Sequence, residues 1–298
     1  MRTLNLSGQS LQSWPDEVFV GVADRGTVEL FLQDNGLAGW DARCEGAFGA
    51  LELLYLQSNP LSTLPATCGQ WSALQEINLS RTSITALPSE AAQWKALRCF
   101  YLDDVPGLVA IDGAVLGAWS ELRVLHINNT GLQQLPESVG GLVNLNSVSL
   151  NGNALTELPE QVGMWTHIKK LFLNSNRLGA LPSSIAGWTA LEKLYITDNL
   201  LCAFPEAIGS LQNLQELYAT RNKLASLPDS LGQLRDLNKL YLQNNLLTAL
   251  PPSLEQCRAL ELLYVADNAF FTVPDSIRAL PKIKVIDLDD AVHESMKS

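Results

Sequence analysis

The sequence predicts an α/β solenoid: a right-handed horseshoe with a parallel sheet on its concave face and short helical turns or irregular segments on its convex side. Two observations carry this. The stretches "LEKLYITDNLLCAFPEAIGSLQN" (191–213) and "LQELYATRNKLASLPDSLGQLRD" (214–236) share one skeleton, LxxLxLxxNxLxxLPxxIxxLxx, and the skeleton recurs along the chain. Copies start at Leu51, Leu74, Leu97, Leu122, Leu145, Ile168, Leu191, Leu214, Leu237 and Leu260, nearly always 23 residues apart. A fixed period of this length marks a stack of small units, none of which can bury its leucines alone.

Each part of the skeleton has a physical reading. LxxLxL contains an alternating, strand-like run. In the copy from Leu191, Leu194 and Ile196 point inward and Tyr195 outward, because strand side chains alternate faces. Asn199 follows, and a buried Asn there can bond the backbone of its own turn and of the next coil. The position recurs as Asn153, Asn176, Asn199, Asn222, Asn245 and Asn268. Leu201, Phe204 and Pro205 come next, and "PEAIG" opens a helical turn with Pro at its first position and an acid beside it. Five of the seven tryptophans, Trp71, Trp94, Trp119, Trp165 and Trp188, sit three residues before a repeat start, a place held elsewhere by Leu211 and Leu234, so they read as core.

The pattern describes one repeat domain over residues 1–298. Residues 1–50 form two irregular coils, with Trp14 and Trp40 in an N-terminal cap; 51–282 are regular; 283–298 are a final strand and polar cap. The copy at 97–121 is irregular: it is two residues too long and carries Val105-Pro106-Gly107 at the asparagine turn. With Thr82 and Thr130 at the ladder position on either side, the ladder breaks across three coils, and a change of twist or a bulge is expected there.

These repeats resemble the leucine-rich repeat superfamily in its 23-residue form with an LP motif. The spacing is similar to that of intracellular Ras-group repeat proteins, plant immune receptor repeats and repeat domains of bacterial effectors. The resemblance implies a scaffold that recognises a protein partner on its concave face without catalysis. The alternative is the repeat segment, recognising substrate or partner, of a larger enzyme or secreted bacterial effector, such as a ubiquitin ligase, kinase or GTPase-linked protein.

Composition narrows the classes. Lys+Arg of 20 against Asp+Glu of 31 gives a net charge of −11, a poor match to nucleic acid. No apolar run is long enough for a membrane span, and the N-terminus lacks a signal-peptide core. Cys44, Cys68, Cys99, Cys202 and Cys257 are dispersed and odd in number, which suits a reducing, cytoplasmic compartment and neither disulfides nor zinc. No phosphate loop, nucleophile elbow, HExxH or calcium loop occurs, so no cofactor, metal or catalytic residue is expected. A Cys99–His126 pair near Asp103 and Asp104 is the one constellation with nucleophile chemistry, at a diagonal cross-strand distance.

What remains is the outward face of the strands. Phe172, Tyr195, Tyr218, Tyr241 and Tyr264 form a stripe over five successive coils. Around it lie Lys170, Arg177, Lys193, Arg221, Lys223 and Lys239 against Asp198 and Glu216, a local +4, flanked by Asp103 and Asp104 on one side and Asp267, Asp287, Asp289 and Asp290 on the other. The expected site is therefore Phe172, Tyr195, Tyr218, Tyr241, Tyr264, Lys170, Lys193, Arg221 and Lys239, taking an acidic protein or peptide segment with apolar anchors; the chain itself is expected to be a monomer.

Overall fold

The computed structural model describes residues 3–24, 26–44, 46–269 and 274–288. It divides into two compact units, Met1–Leu145 and Asn146–Ser298. In the first, the described strands are β1 (Thr3–Asn5), β2 (Glu29–Phe31), β3 (Leu53–Tyr55), β4 (Glu76–Asn78), β5 (Cys99–Tyr101) and β6 (Val124–His126). Each pairs in parallel with the next in chain order. In the second they are β7 (Ser147–Ser149), β8 (Lys170–Phe172), β9 (Lys193–Tyr195), β10 (Glu216–Tyr218), β11 (Lys239–Tyr241), β12 (Leu262–Tyr264) and β13 (Val285–Asp287), again parallel and in chain order. Each unit is a solenoid of these coils, with its sheet on one face and short turns on the other.

The middle residue of each strand from β2 to β12, such as Leu54, Leu194 or Leu240, is fully buried, while the residues either side of it stand in two rows on the sheet face. Pairing is in register, so Tyr195 stands beside Tyr218 and Lys193 beside Glu216. The asparagine ladder is as expected in its chemistry and reversed in its direction. Asn199 Nδ2 donates to the Ile196 carbonyl of its own turn (3.2 Å) and to Leu173 O of the preceding coil (2.9 Å), while its Oδ1 accepts from Leu178 N of that preceding coil (3.0 Å). The bonds run backward because the Asn side chain follows its strand and lies over the turn already laid down. Asn222, Asn245 and Asn268 repeat the set. Asn59 does the same in the first unit, and Asn35 lies at the head of the ladder, so it begins earlier than the sequence pattern suggested.

Just before each ladder position lies a residue in the left-handed region, among them Asp34, Ser58, Arg81, Asp198, Arg221 and Asn244, with φ between 53° and 59°. Non-glycine residues avoid this conformation. It persists here because it aims the N–H at the next coil: Asp198 N donates to Thr220 O at 3.0 Å and Arg221 N to Gln243 O at 2.9 Å.

The far side is built from 3₁₀ turns, such as Glu206–Ser210, whose preceding proline is the cap and not the first helical residue: Pro205 is extended (φ −68°, ψ 153°) and its carbonyl accepts from Ile208 N at 2.9 Å. The five repeat tryptophans are buried. Trp71, Trp94 and Trp119 stack at 5.9 Å spacing, and Trp94 Nε1 reaches Cys68 O at 2.7 Å, which satisfies the polar end of a buried ring. Trp14 and Trp40 stack at 4.9 Å and lead through Phe48 to Trp71, so the N-terminal coils extend this stack, alongside helix α1 (Asp16–Asp24). The turns pack so closely that a Cβ on Gly232 would sit 2.2 Å from Ser253 O and one on Gly187 2.0 Å from Gly163 O.

The irregular coil leaves the sheet untouched. Cys99↔Val124 and Tyr101↔His126 stay in register, so no bulge enters the strands. The extra residues are taken up on the far side, where Asp112 caps the single α-turn α2 (Gly113–Leu116) by accepting from Ala114 N at 2.8 Å. At the three broken ladder positions Val105 is buried, Thr82 Oγ1 bonds Leu79 O of its own turn at 2.7 Å, and Thr130 is buried. A further α-turn, α3 (Asp275–Arg278), precedes β13; residues 289–298 of the expected cap, with Asp289 and Asp290, lie outside the described residues.

Replacing Asn222 by Ala leaves Leu201 N without its buried acceptor and takes one of two amide donors from each of the Ile196 and Ala219 carbonyls, which keep Asn199 and Asn245. Urea unfolding is expected to show a loss of ~1–3 kcal/mol, and a change below ~0.5 kcal/mol would mean that water replaces the side chain.

Candidate functional site

In-register pairing turns the predicted stripe into a stack. Ring centroids are 4.9 Å apart for Phe172–Tyr195, 4.4 Å for Tyr195–Tyr218, 4.3 Å for Tyr218–Tyr241 and 4.5 Å for Tyr241–Tyr264, and the three tyrosine pairs lie within 9° of parallel. All five rings are partly exposed on the sheet face. The structure therefore brings the predicted aromatics together in one continuous surface.

The charged row beside them is arranged differently from a basic patch. Glu216, at 8% exposure, sits between Lys193 and Lys239, whose Nζ atoms lie 3.1 and 3.2 Å from its Oε1. Its Oε2 accepts the Tyr195 hydroxyl proton at 2.7 Å. Burial pushes the Glu216 carboxyl upward, and the hydrogen bonds from Tyr195, Lys193 and Lys239 outweigh it, so its pKa falls below the ordinary value. The Tyr195 hydroxyl is held protonated by burial and by the same carboxylate. Arg221 grips Asp198 with two hydrogen bonds, Nη2 to Oδ2 at 2.7 Å and Nε to Oδ1, and these lower the Asp198 carboxyl. Three of the six cations counted in the sequence thus face carboxylates. Lys170, Arg177 and Lys223 are exposed and, among the described residues, enter no ion pair; the surplus positive charge lies there.

Sequence reasoning counted Glu216 as one negative charge and missed its role as the hub of the row. The signal was present: Lys-x-Tyr, Glu-x-Tyr and Lys-x-Tyr follow one another at 23-residue spacing.

The Cys99–His126 pair does not form a nucleophile. Cys99 faces Val124 and His126 faces Tyr101, so the two are diagonal, as expected. Burial and the nearby Glu76 charge push the Cys99 thiol up, away from thiolate, and burial lowers His126. His126 is instead packed edge-on to Tyr101 at 5.1 Å. Among the described residues no cluster of His, Cys, Asp or Glu could hold a metal ion, and no helix is long and apolar enough to cross a membrane.

The fold and this face together define a class, a solenoid that presents a pre-arranged row of side chains along its sheet. Residues 93–220 match the family model of a leucine-rich repeat region, and the fold is the leucine-rich-repeat solenoid. A search of curated proteins finds no significant match. Among solved structures, the chain is similar to a leucine-rich-repeat protein of Leptospira interrogans (25% identity, TM-score 0.63, covering 99% of this chain and 93% of that one). It is also similar to PEPR1 of a PEPR1–AtPEP1 structure (26%, TM-score 0.81, 96% and 40%) and, in fold, to the plant peptide hormone receptor RGFR1 in complex with RGF2 (24%, TM-score 0.76, 96% and 51%). The chain spans about half or less of the latter two.

Changing Glu216 to Gln removes the charge that holds Lys193 and Lys239. A carboxyl whose folded pKa is below 4.5 contributes stability that is complete above that pH and lost as pH falls through the folded value. The variant is expected to be less stable than the parent by ~1 kcal/mol at pH 7, with the gap closing in acid. Urea midpoints at neutral pH and well below pH 4.5 check this; a gap that stays constant would show the ion pairs to be idle.

Proposed function

We propose that this chain is a non-catalytic recognition module that holds a protein or peptide segment on the sheet face of residues 170–264. The observation that carries this reading is the five-ring stack with its Glu216-anchored lysines. Rings already fixed against one another, and lysines already held by a carboxylate, lose little freedom when a partner arrives. The tyrosines and Phe172 supply apolar contact area, Lys193 and Lys239 offer N–H donors, and Lys170 with Arg177 and Lys223 supplies the surplus charge that favours an acidic partner. Arg221, committed to Asp198, contributes less than its charge suggests. The plant peptide hormone receptor found among the similar structures, solved in complex with RGF2, is in keeping with a peptide ligand. The five unpaired cysteines, with Cys68 and Cys257 buried and their thiols pushed up to about 12 by burial, support a reducing cytoplasmic setting. The chain acts as a monomer in this reading.

Random-peptide display against the parent protein provides ligands to test. Tyr218→Ala and Tyr241→Ala are expected to weaken the selected peptides by about tenfold or more, and Lys170→Glu to weaken acidic ones most at low salt. Glu206→Arg, on the far side, is expected to bind like the parent. Equal binding by the three face variants, with loss in Glu206→Arg, would defeat the proposal.

A further inference from the structure

One two-row pattern occurs twice, once in each unit. On β9, β10 and β11 the outward rows read Lys193, Glu216, Lys239 and Tyr195, Tyr218, Tyr241. On β3, β4 and β5 they read Leu53, Glu76, Cys99 and Tyr55, Asn78, Tyr101. In both, the first tyrosine donates its hydroxyl to the glutamate of the next strand: Tyr195 to Glu216 at 2.7 Å, and Tyr55 to Glu76.

The second copy lacks two things that complete the first. The central ring, Tyr218, is replaced by Asn78, whose Oδ1 is turned to the N–H of Ser80 at 3.0 Å. The two lysines that satisfy Glu216 are replaced by Leu53 and Cys99, and among the described residues no ion pair involves Glu76. On their outer sides the flanking rings meet other rings, Tyr55 meeting Phe31 at 4.9 Å and Tyr101 meeting His126 in a T-shaped pair at 5.1 Å. Asn78 stands between them in the row. Two strand spacings set the positions of the two rings about 9.6 Å apart, which leaves room for one planar group between them. Tyr195 and Tyr241 stand at the same register with Tyr218 between them, which shows that a ring fits that interval.

We infer that Tyr55, Asn78, Tyr101 and Glu76 form a binding slot for a guanidinium group, the arginine side chain of a partner. A guanidinium is planar, so it takes the place of the missing ring between two phenol faces, and it is positive, so it takes the place of the missing lysines at the carboxylate. A lysine ammonium supplies the charge without the plane, and an aromatic ring supplies the plane without the charge. The exposed Arg81 and Arg98 lie nearby in sequence, and Asp103 and Asp104 add negative charge one coil on. This site is independent of the surface on residues 170–264.

The test is titration of the protein with N-acetylarginine amide, followed by NMR shifts, beside the lysine and citrulline analogues; citrulline keeps the planar shape and lacks the charge. The arginine compound is expected to bind, with the citrulline analogue at least about tenfold weaker and the lysine analogue weaker as well. Glu76→Gln should cost about tenfold in arginine affinity. Asn78→Tyr should abolish binding, because the new ring fills the interval. Absent arginine binding, equal binding of citrulline, or arginine binding that survives Asn78→Tyr would each overturn the assignment.

Discussion

Everything on the sheet face follows from one constraint: three-residue strands paired in parallel and in register, so that residue i of one coil stands beside its equivalent in the next at ~4.8 Å. A side chain repeated at that position is forced into contact with its own kind. For tyrosine this is favourable and yields a stack. For lysine it is not, since like charges directly opposite repel. The row that holds Lys193, Glu216 and Lys239 resolves the conflict by alternation, with one buried carboxylate serving two ammonium groups. Lys170 and Lys193 remain adjacent without such a mediator, and that is a pairing the fold gains nothing from.

The same constraint explains why a hydroxyl reaches the neighbouring strand. Rings in van der Waals contact need planes about 3.5–4.0 Å apart, while the observed centroids are 4.3–4.5 Å apart in nearly parallel tyrosine pairs. The rings must slide across one another to close the difference, which is the offset geometry aromatic pairs prefer. The Tyr195 hydroxyl also reaches over β10, where Glu216 accepts it, and the Tyr55 hydroxyl reaches over β4 to Glu76 although position 78 holds no ring. The tyrosine–glutamate bond thus follows from the register and not from the stack, and a glutamate one coil on is the residue type that can use it.

Much of this was legible in the sequence because the repeat does the aligning. The 23-residue period set the strand centres, and the places of Leu194, Tyr195, Asn199 and Trp188 in the coil could be read from any one copy. What stayed hidden were relations between coils. The ladder bonds run to the preceding coil, which a single copy does not reveal. The left-handed turn residue is Arg, Ser, Asp or Asn in different coils, and Arg221 or Ser58 carries no conformational signature in its chemistry. The two-residue insertion in 97–121 disturbed the alignment of letters, yet the strands held their register and the slack went into α2 on the far side. Charge was the least legible of all, because a count over a window treats Glu216 as a subtraction when its position makes it a hub.

A scaffold that fixes its core by repetition leaves its meaning in the departures. The buried leucines, the asparagines and the tryptophans are shared by most coils and tell one nothing about a partner. On the sheet face, two coils that depart from their neighbours are β4, with Asn78 between two tyrosines, and β10, with Glu216 between two lysines. The second departure completes a charge network within the chain, so the surface there is self-sufficient and rigid. The first leaves an interval between two tyrosines, beside a carboxylate, with no ring of the chain's own in it. The fold's own return there is one hydrogen bond, Asn78 Oδ1 accepting from Ser80 N. That bond occupies the side chain and leaves the interval open, and a planar cation that enters it would meet ring and carboxylate together.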